Sequence, residues 1–572
     1  MKNRILFFLV LTAASCLSRE TQAKVTAPLS HTPDGALAAG SDFWLVEMSN
    51  AWGVDSANGG YMRIYLTSPT KTKAFIQYPG VLDSVPVTAL TVVTYLIPSW
   101  LQMQSSGEVD NKAIHIWSND AALSITTMNY NPGSGEGSCL IPTATWGKDY
   151  VVAAHESFWG TEGDIVPDFP STMAVVAEQD NTTISIYPSS DCRQCFSGND
   201  SGDINSTDVV YPAGGLAKFI LDRGQTLQLM PVKATSPNFD LTGTIIHATN
   251  AIGVFGGSSK TNIPANLPVP NHVEEMILPI SSWGKTYMGT SFYEPANLSG
   301  RDYAMYLFIS TEPNQIIYRS DCSTAGRVEC QIDNKYGIIW DEQELSQRFY
   351  SDAPFLCMEY MNSHSYPDGD TDGIGAPAEA FLVPQNEWPQ NALIVLPTTG
   401  VPFTNYVNLV VNVKDAVKTL FDGVSISVFP AQCIDNDWET LTIDKAGAGV
   451  HQITGDDSGV GVYTYGYGQD ASYAISVLGT YSFLDDVSIE VPPHSQAVLR
   501  WVGGKSFQFS IPASFPVPAG LELVNILGAT IWKEDVENTM CMLDFNSVPA
   551  GIYFWRLSAG SESRTGKIVL DR

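Results

Sequence analysis

The stretch Asp368-Gly369-Asp370-Thr371-Asp372-Gly373 sets three carboxylates two residues apart, with glycine at the sixth place and Glu379 at the twelfth. Alternate side chains of such a loop converge on one hard cation, and the glycine admits the sharp turn. Asp368, Asp370, Asp372 and Glu379 therefore form a candidate calcium site. Pro377 opposes the exiting helix of an EF-hand, so the expectation is a helix-free loop; the competing reading is a solvated acidic turn. Asp200, Asp203, Asn205 and Asp208 make a looser second set. Catalytic patterns are not met: His155-Glu156 lacks the histidine three residues on that a zinc-protease helix requires, and no G-x-S-x-G elbow or Walker loop occurs. The many carboxylates single out no glycosidase pair. His272 beside Glu274 and Glu275 reads as a solvated turn. Cys192 and Cys195 form a lone C-x-x-C without the second pair that zinc would need, so a local disulfide or reduced thiols is expected. Cys322 and Cys330 flank a turn-like stretch and could staple a hairpin.

The elements that would position such residues are organised around a repeated cassette. Trp146-Gly147-Lys148-Asp149-Tyr150 comes back as Trp283-Gly284-Lys285-Thr286-Tyr287, each after an apolar-proline step and before an apolar segment. A third echo, Leu382-Val383-Pro384 then Glu387-Trp388, lacks the Gly-Lys pair. The surroundings repeat as well: residues 246–251 match 114–119 in character and position. Short alternating and β-branched runs broken by Asn, Gly, Pro and Asp fill each interval. The expected fold is all-β: tandem β-sandwich-like modules with a small C-terminal Ig-like β-sandwich, a β-propeller being the alternative for the body. The divisions are a signal peptide at 1–23, a leader at 24–41, modules at 42–135, 136–270, 271–375 and a diverged 376–490, and a terminal domain at 491–572. At the start of each module's first strand, Trp146, Gly147, Lys148, Trp283, Gly284 and Lys285 read as seam residues, the tryptophan plugging the junction and the glycine allowing the turn.

The 60 acidic against 30 basic residues give a net charge of −30, a surface that repels phosphate backbones, so nucleic acid is not an expected partner. Lys2 and Arg4 followed by the apolar run 5–11 and the exit Thr21-Gln22-Ala23 read as a signal peptide, with a lipoprotein box at Cys16 as the lesser alternative. No later segment offers the ~18 apolar residues of a membrane helix. Eight cysteines then remain, an even number in an oxidising compartment.

Two resemblances sharpen this reading. Residues 521–528 (Leu-Glu-Leu-Val-Asn-Ile-Leu-Gly), 549–554 (Pro-Ala-Gly-Ile-Tyr-Phe) and 566–570 (Gly-Lys-Ile-Val-Leu) resemble the C-terminal sorting domain of type IX secretion, with Asn525 where Asp is commoner. The resemblance implies export by the type IX machinery of a Gram-negative bacterium, to the medium or the cell surface. Residues 178–186, 240–245 and the two cassettes are similar to the IgG Fc-binding protein family; Ala251 stands where that family has proline. This implies an extracellular adhesion or binding protein; with no catalytic motif met, the expectation is recognition of a protein or glycan without catalysis, and calcium is the one possible cofactor. An extracellular hydrolase and a surface-matrix subunit are the alternatives.

Overall fold

Among the described residues every regular element is a β-strand or a single 3-10 turn, as a chain rich in β-branched, aromatic and turn-forming residues and poor in charge favours. The computed structural model describes residues 40–570 except 52, 55, 159–168, 195–208, 232–238, 265–268, 293–303, 323–325, 344–345, 364–373, 399–402, 457, 479–497, 504–505, 511–515, 526–528, 539, 546, 550 and 561.

Residues 42–476 build four sandwiches of one topology. In the first, one sheet runs Asp42–Leu45, Ile114–Ser118, Thr72–Tyr78, Val81–Val87, and the other runs Val93–Ile97, Tyr61–Thr67, Ser124–Asn131, Ser134–Glu136. The second repeats the order with Asp149–Val151, Ile245–Ala248, Thr182–Tyr187, Ala217–Leu221 over Thr226–Leu229, Ser171–Ala177, Ile252–Thr261, Asn271–Met276. Val109–Asp110 of the first module pairs onto its edge. The fourth sets Asn391–Leu396, Gly449–Thr454, Leu420–Phe421, Val424–Ser425 over Trp438–Ala446, Thr404–Asn412, Gly461–Gly468, Ala471–Ser476.

The third module fuses its two layers. One long strand, Gln347–Met361, pairs through its first part with Gly284–Gly289 and Gln315–Ser320, and through its second with Ala304–Ser310 and Ala378–Phe381. Pro354 lies between the two parts, where a residue without an amide donor costs no ladder bond.

The closing strands Ser134–Glu136, Asn271–Met276, Ala378–Phe381 and Ala471–Ser476 pack against one another in a cycle, first on second, second on third, third on fourth, fourth on first. Asn271 joins them: its Nδ2 donates to Gly135 O at 2.9 Å, Pro377 O at 2.6 Å and Ser472 O at 3.4 Å, while its Oδ1 accepts the Gly135 amide at 2.7 Å. The body is thus a ring of two-layer sandwiches that close about an axis as blades would. One apolar core runs from Phe43 through the first three modules and into the fourth as far as Leu478, while the interior of the fourth sandwich, with Leu396, Leu409, Phe421 and Ile453, is a core of its own. The tail has a separate core around Leu521, Leu523, Phe545, Trp555 and Leu557, between sheets of three and four strands.

Three expectations change. His272, Glu274 and Glu275 are no solvated turn: they sit on a buried strand at the ring centre. Asn271–Met276 and Ala378–Phe381 complete the second and third sandwiches, so divisions at 270 and 375 cut each module one strand short. Cys322 is bridged not to Cys330 but to Cys433, with Cα atoms 5.9 Å apart, because the loop after Gln315–Ser320 meets the edge strand Ala431–Cys433 of the fourth module. Cys192 is a buried free thiol, and Cys195 lies outside the described residues.

Candidate functional site

The cassettes lie at the seams. In each, a proline opens a 3-10 turn of three residues that ends on tryptophan: Thr143–Thr145 then Trp146, Ile280–Ser282 then Trp283, Gln385–Glu387 then Trp388. Each indole nitrogen donates to the carbonyl before that proline, Ile141 O at 3.0 Å, Leu278 O at 3.1 Å and Val383 O at 3.0 Å. A Cβ on Gly147 would lie 2.5 Å from Cβ of Pro279, and one on Gly284 would lie 2.2 Å from Cβ of Pro384. Each glycine thus presses on the proline that opens the next module, and Gly40 does the same to Pro142. The Tyr150 hydroxyl accepts the Gly147 amide and donates to Ile252 O at 2.6 Å; Tyr287 repeats this with Gly284 and Phe355 O. Lys148 and Lys285 stay exposed, whereas Trp146 and Trp283 are buried.

Of the candidate calcium residues, Asp368, Asp370 and Asp372 lie outside the described residues, as do Asp200, Asp203, Asn205 and Asp208. Glu379 is on the closing strand of the third module and fully buried. Its amide donates to Glu136 Oε2 of the first module at 3.0 Å. His155 is also interior, bonded to Thr261 Oγ1 at 2.8 Å, and burial pushes its pKa down to about 4, so it stays neutral. Burial raises the Cys139 thiol to about 12, which removes it as a nucleophile.

The surface feature with the composition of a recognition site is on the first module. Trp100 is 52% exposed, in a Pro-opened 3-10 turn like those of the cassettes. Here the tryptophan comes two residues after the proline rather than four, and Leu101 takes the buried place. Tyr78 meets the Trp100 ring edge-on at 6.3 Å, and its hydroxyl lies 3.4 Å from that of Tyr95. Burial, then the bond to Tyr78 and the nearby Asp83, raise the Tyr95 pKa and keep its hydroxyl a donor. Val81 is paired directly across from Tyr78, and Leu82 and Leu96 are more than 60% exposed. An amphipathic aromatic side chain held by two tyrosines is what protein interfaces concentrate. Sequence reasoning passed over Trp100 because the strand pattern gives no sign of which tryptophans face outward; the changed spacing from Pro98 was the available signal.

Residues 136–466, more than half of the chain, match the family described as IgGFc binding protein. The chain belongs to the IgGFc binding protein family. The IgGFc binding match begins on the closing strand of the first module and runs into Gly461–Gly468 of the fourth, so it takes in most of the ring. Residues 507–571 match the secretion system C-terminal sorting domain, which makes this family member a secreted or cell-surface protein. A human protein named IgGFc-binding protein is 25% identical over 208 residues, which are 36% of this chain but 3% of that protein's length. Among solved structures, a biofilm-associated protein BSP domain aligns over 74% of this chain and 96% of its own at 6% identity and a TM-score of 0.14. The eight N-terminal Ig domains of a Down syndrome cell adhesion molecule align over 93% and 69%, at 9% identity and a TM-score of 0.12. Among the described residues no helix of this IgGFc binding family member is long and apolar enough to cross a membrane.

Proposed function

We propose that this protein is a surface-displayed or secreted adhesin-like binder of an extracellular protein, exported by the type IX machinery and without catalysis of its own. The observation that carries the reading is the exposed Trp100, with the half-buried Tyr78 and Tyr95 beside it, on a ring that belongs to a binding family. The rigid two-χ side chains lose little entropy on docking and supply both apolar area and hydroxyl donors. The net charge of −30 favours a partner with a basic contact face and speeds its encounter at low salt. The human relative's printed name makes immunoglobulin the first ligand to try.

The test is a binding screen of the immobilised mature protein against immunoglobulin, mucin and glycan panels, followed by Trp100→Ala and Tyr95→Ala on any hit. A protein ligand should bind, and each substitution should weaken it about tenfold or more. Glycan binding alone, or a protein ligand indifferent to both substitutions, would sink the reading. Calcium at Asp368, Asp370, Asp372 and Glu379 is a separate proposal, supported by the spacing of the aspartates; a melting temperature equal in excess calcium and in chelator would dismiss it.

A further inference from the structure

The inner sheets of the four sandwiches differ in what covers the edge strand opposite the ring centre. In the second module that strand, Thr226–Leu229, is capped by the first: Thr226 pairs with Asp110 and Leu227 with Val109, and all four of its residues are buried. In the fourth, Trp438–Ala446 carries Ala431–Cys433 on the same edge, with Leu441 opposite Ala431 and Glu439 opposite Cys433. In the third, Ile338–Gln343 lies against the second module, where a Cβ on Gly243 would come 2.6 Å from Ile338 Cδ1 and Trp340 meets His155 edge-on at 5.2 Å. The first module's strand, Val93–Ile97, pairs with Tyr61–Thr67 on one side, and among the described residues no strand pairs with its other side. Thr94 and Leu96 on it are exposed, Leu96 by 63%.

Chain length accounts for the gap. The cap of the second module is drawn from residues 98–113, the connection between Val93–Ile97 and Ile114–Ser118. The corresponding connection of the fourth module, which neighbours the first, is only Gly447 and Ala448, between Trp438–Ala446 and Gly449–Thr454. Val450, just after that turn, packs on the same apolar cluster as Val92. The fourth module thus reaches the start of the strand with no chain to spare for covering it. The edges of the outer sheets, by contrast, are blunted: Val81–Val87 holds Asp83 and Pro86, Ala217–Leu221 holds Lys218, Arg327–Ile332 holds Arg327 and Glu329, and Val424–Ser425 has two residues. Charge, proline and shortness keep edge strands from pairing with other chains. Val-Thr-Tyr-Leu-Ile has neither charge nor proline, and four of its five residues are β-branched or aromatic.

We propose that Val93–Ile97 is a docking strand: an extended peptide segment of the protein ligand adds to its open edge, as Val109–Asp110 adds to Thr226–Leu229. Backbone hydrogen bonds supply the affinity, and the exposed Leu96 and Trp100 select among side chains. This rests on the reading above that the Trp100 face is the binding face, and it names what that face takes. The edge defines the occupant: a proline-free run as long as the strand, uncharged and apolar at alternate positions, because Thr94 and Leu96 point to one face of the sheet and Val93 and Tyr95 to the other. Such a run is supplied by a terminal or loop segment that can straighten, not by a preformed convex surface.

The experiment uses the full mature protein to select from a phage-displayed library of random peptides, about twelve residues long so that they exceed the strand, and the selected peptides are resynthesised. Bound peptide should slow hydrogen exchange, about tenfold or more, at the amides of 93–97 that face away from Tyr61–Thr67. Leu96→Lys should weaken the peptides about tenfold or more while the melting midpoint stays within about 1 °C, since the side chain is exposed. N-methylation of the peptide backbone, which keeps the side chains and removes the donors, should abolish binding. Ile220→Lys, on the outer edge that already holds Lys218, should change nothing. Selection of no peptide, undiminished binding of N-methylated peptides, or sensitivity to Ile220→Lys in place of Leu96→Lys overturns the docking strand. So does slow exchange of the outward amides in the free protein, the edge then being filled from within the chain, or a native dimer that Leu96→Lys dissociates, the occupant then being a second copy. A folded ligand lost on Trp100→Ala, with no peptide selected, removes the docking strand and leaves the binding face standing.

Discussion

Three of the four junctions in the ring are punctuated and the fourth is not. Between the first and second, second and third, and third and fourth modules, a glycine meets the next module's proline, and at each a capped tryptophan follows that proline. The junction of the fourth module with the first is apolar area instead: Tyr61, Tyr65 and Met128 pack on Val395, Tyr473 and Ile475. Its polar contacts include Ser124 Oγ donating to Leu393 O at 3.0 Å. The difference follows from covalency. A seam crossed by the chain can be fixed by a short local motif, because the linker has already brought the surfaces together. A seam between chain-distant modules must meet the whole loop-closure entropy and needs broad burial to do so.

Substitutions can break this contrast. Trp283→Ala should cost about 3–5 kcal/mol by chemical denaturation, since it empties the space behind the third module's opening turn; a loss under ~1 kcal/mol would mean that the indole is no seam plug. Replacing Cys322 and Cys433 together by serine removes a covalent tie added to a tethered seam and should cost about 2–4 kcal/mol. An unchanged unfolding midpoint in reducing and oxidising buffer would dispose of that tie. Gly147→Ala should cost about 1–3 kcal/mol, because Pro279 must give way, and the same change at the exposed Gly447, where a Cβ would meet nothing within 4 Å, should not reproduce it. At the untethered seam Ser124→Ala deletes the bond to Leu393 O at 3.0 Å while sparing the apolar contact, so about 1 kcal/mol is expected. A loss as large as that of Trp283→Ala would show that the fourth seam is as polar and local as the others.

The legibility of the chain divides along the same line. The cassettes were readable because Trp, Gly and Pro recur at fixed short spacing, and the sorting tail because its turn and strand residues are contiguous. The closing strands were not. Ser134–Glu136 has three residues and no apolar one, and Asn271–Met276 carries His272, Glu274 and Glu275, so periodicity gives them away to solvent. Their burial comes from three other modules, which no local window contains. The Glu136 contact with Ala474 spans 338 residues, and the Cys322 to Cys433 bridge spans 111. The Trp388 cassette kept its turn and its indole bond without the Gly-Lys pair, which locates the essential part of the motif in proline and tryptophan.

The ring also fixes an order of events. The chain is synthesised from its amino end, so the faces of Tyr61, Tyr65 and Met128 exist before the residues that cover them. They wait, as the springer of an arch waits, until Ala471–Ser476 arrives. Until that last stone is set, three finished modules present a wet apolar flank and a half-built centre, the state in which such proteins associate wrongly. Truncating the chain before residue 471 would therefore do more than remove one strand of the ring: it would leave an arch without a keystone.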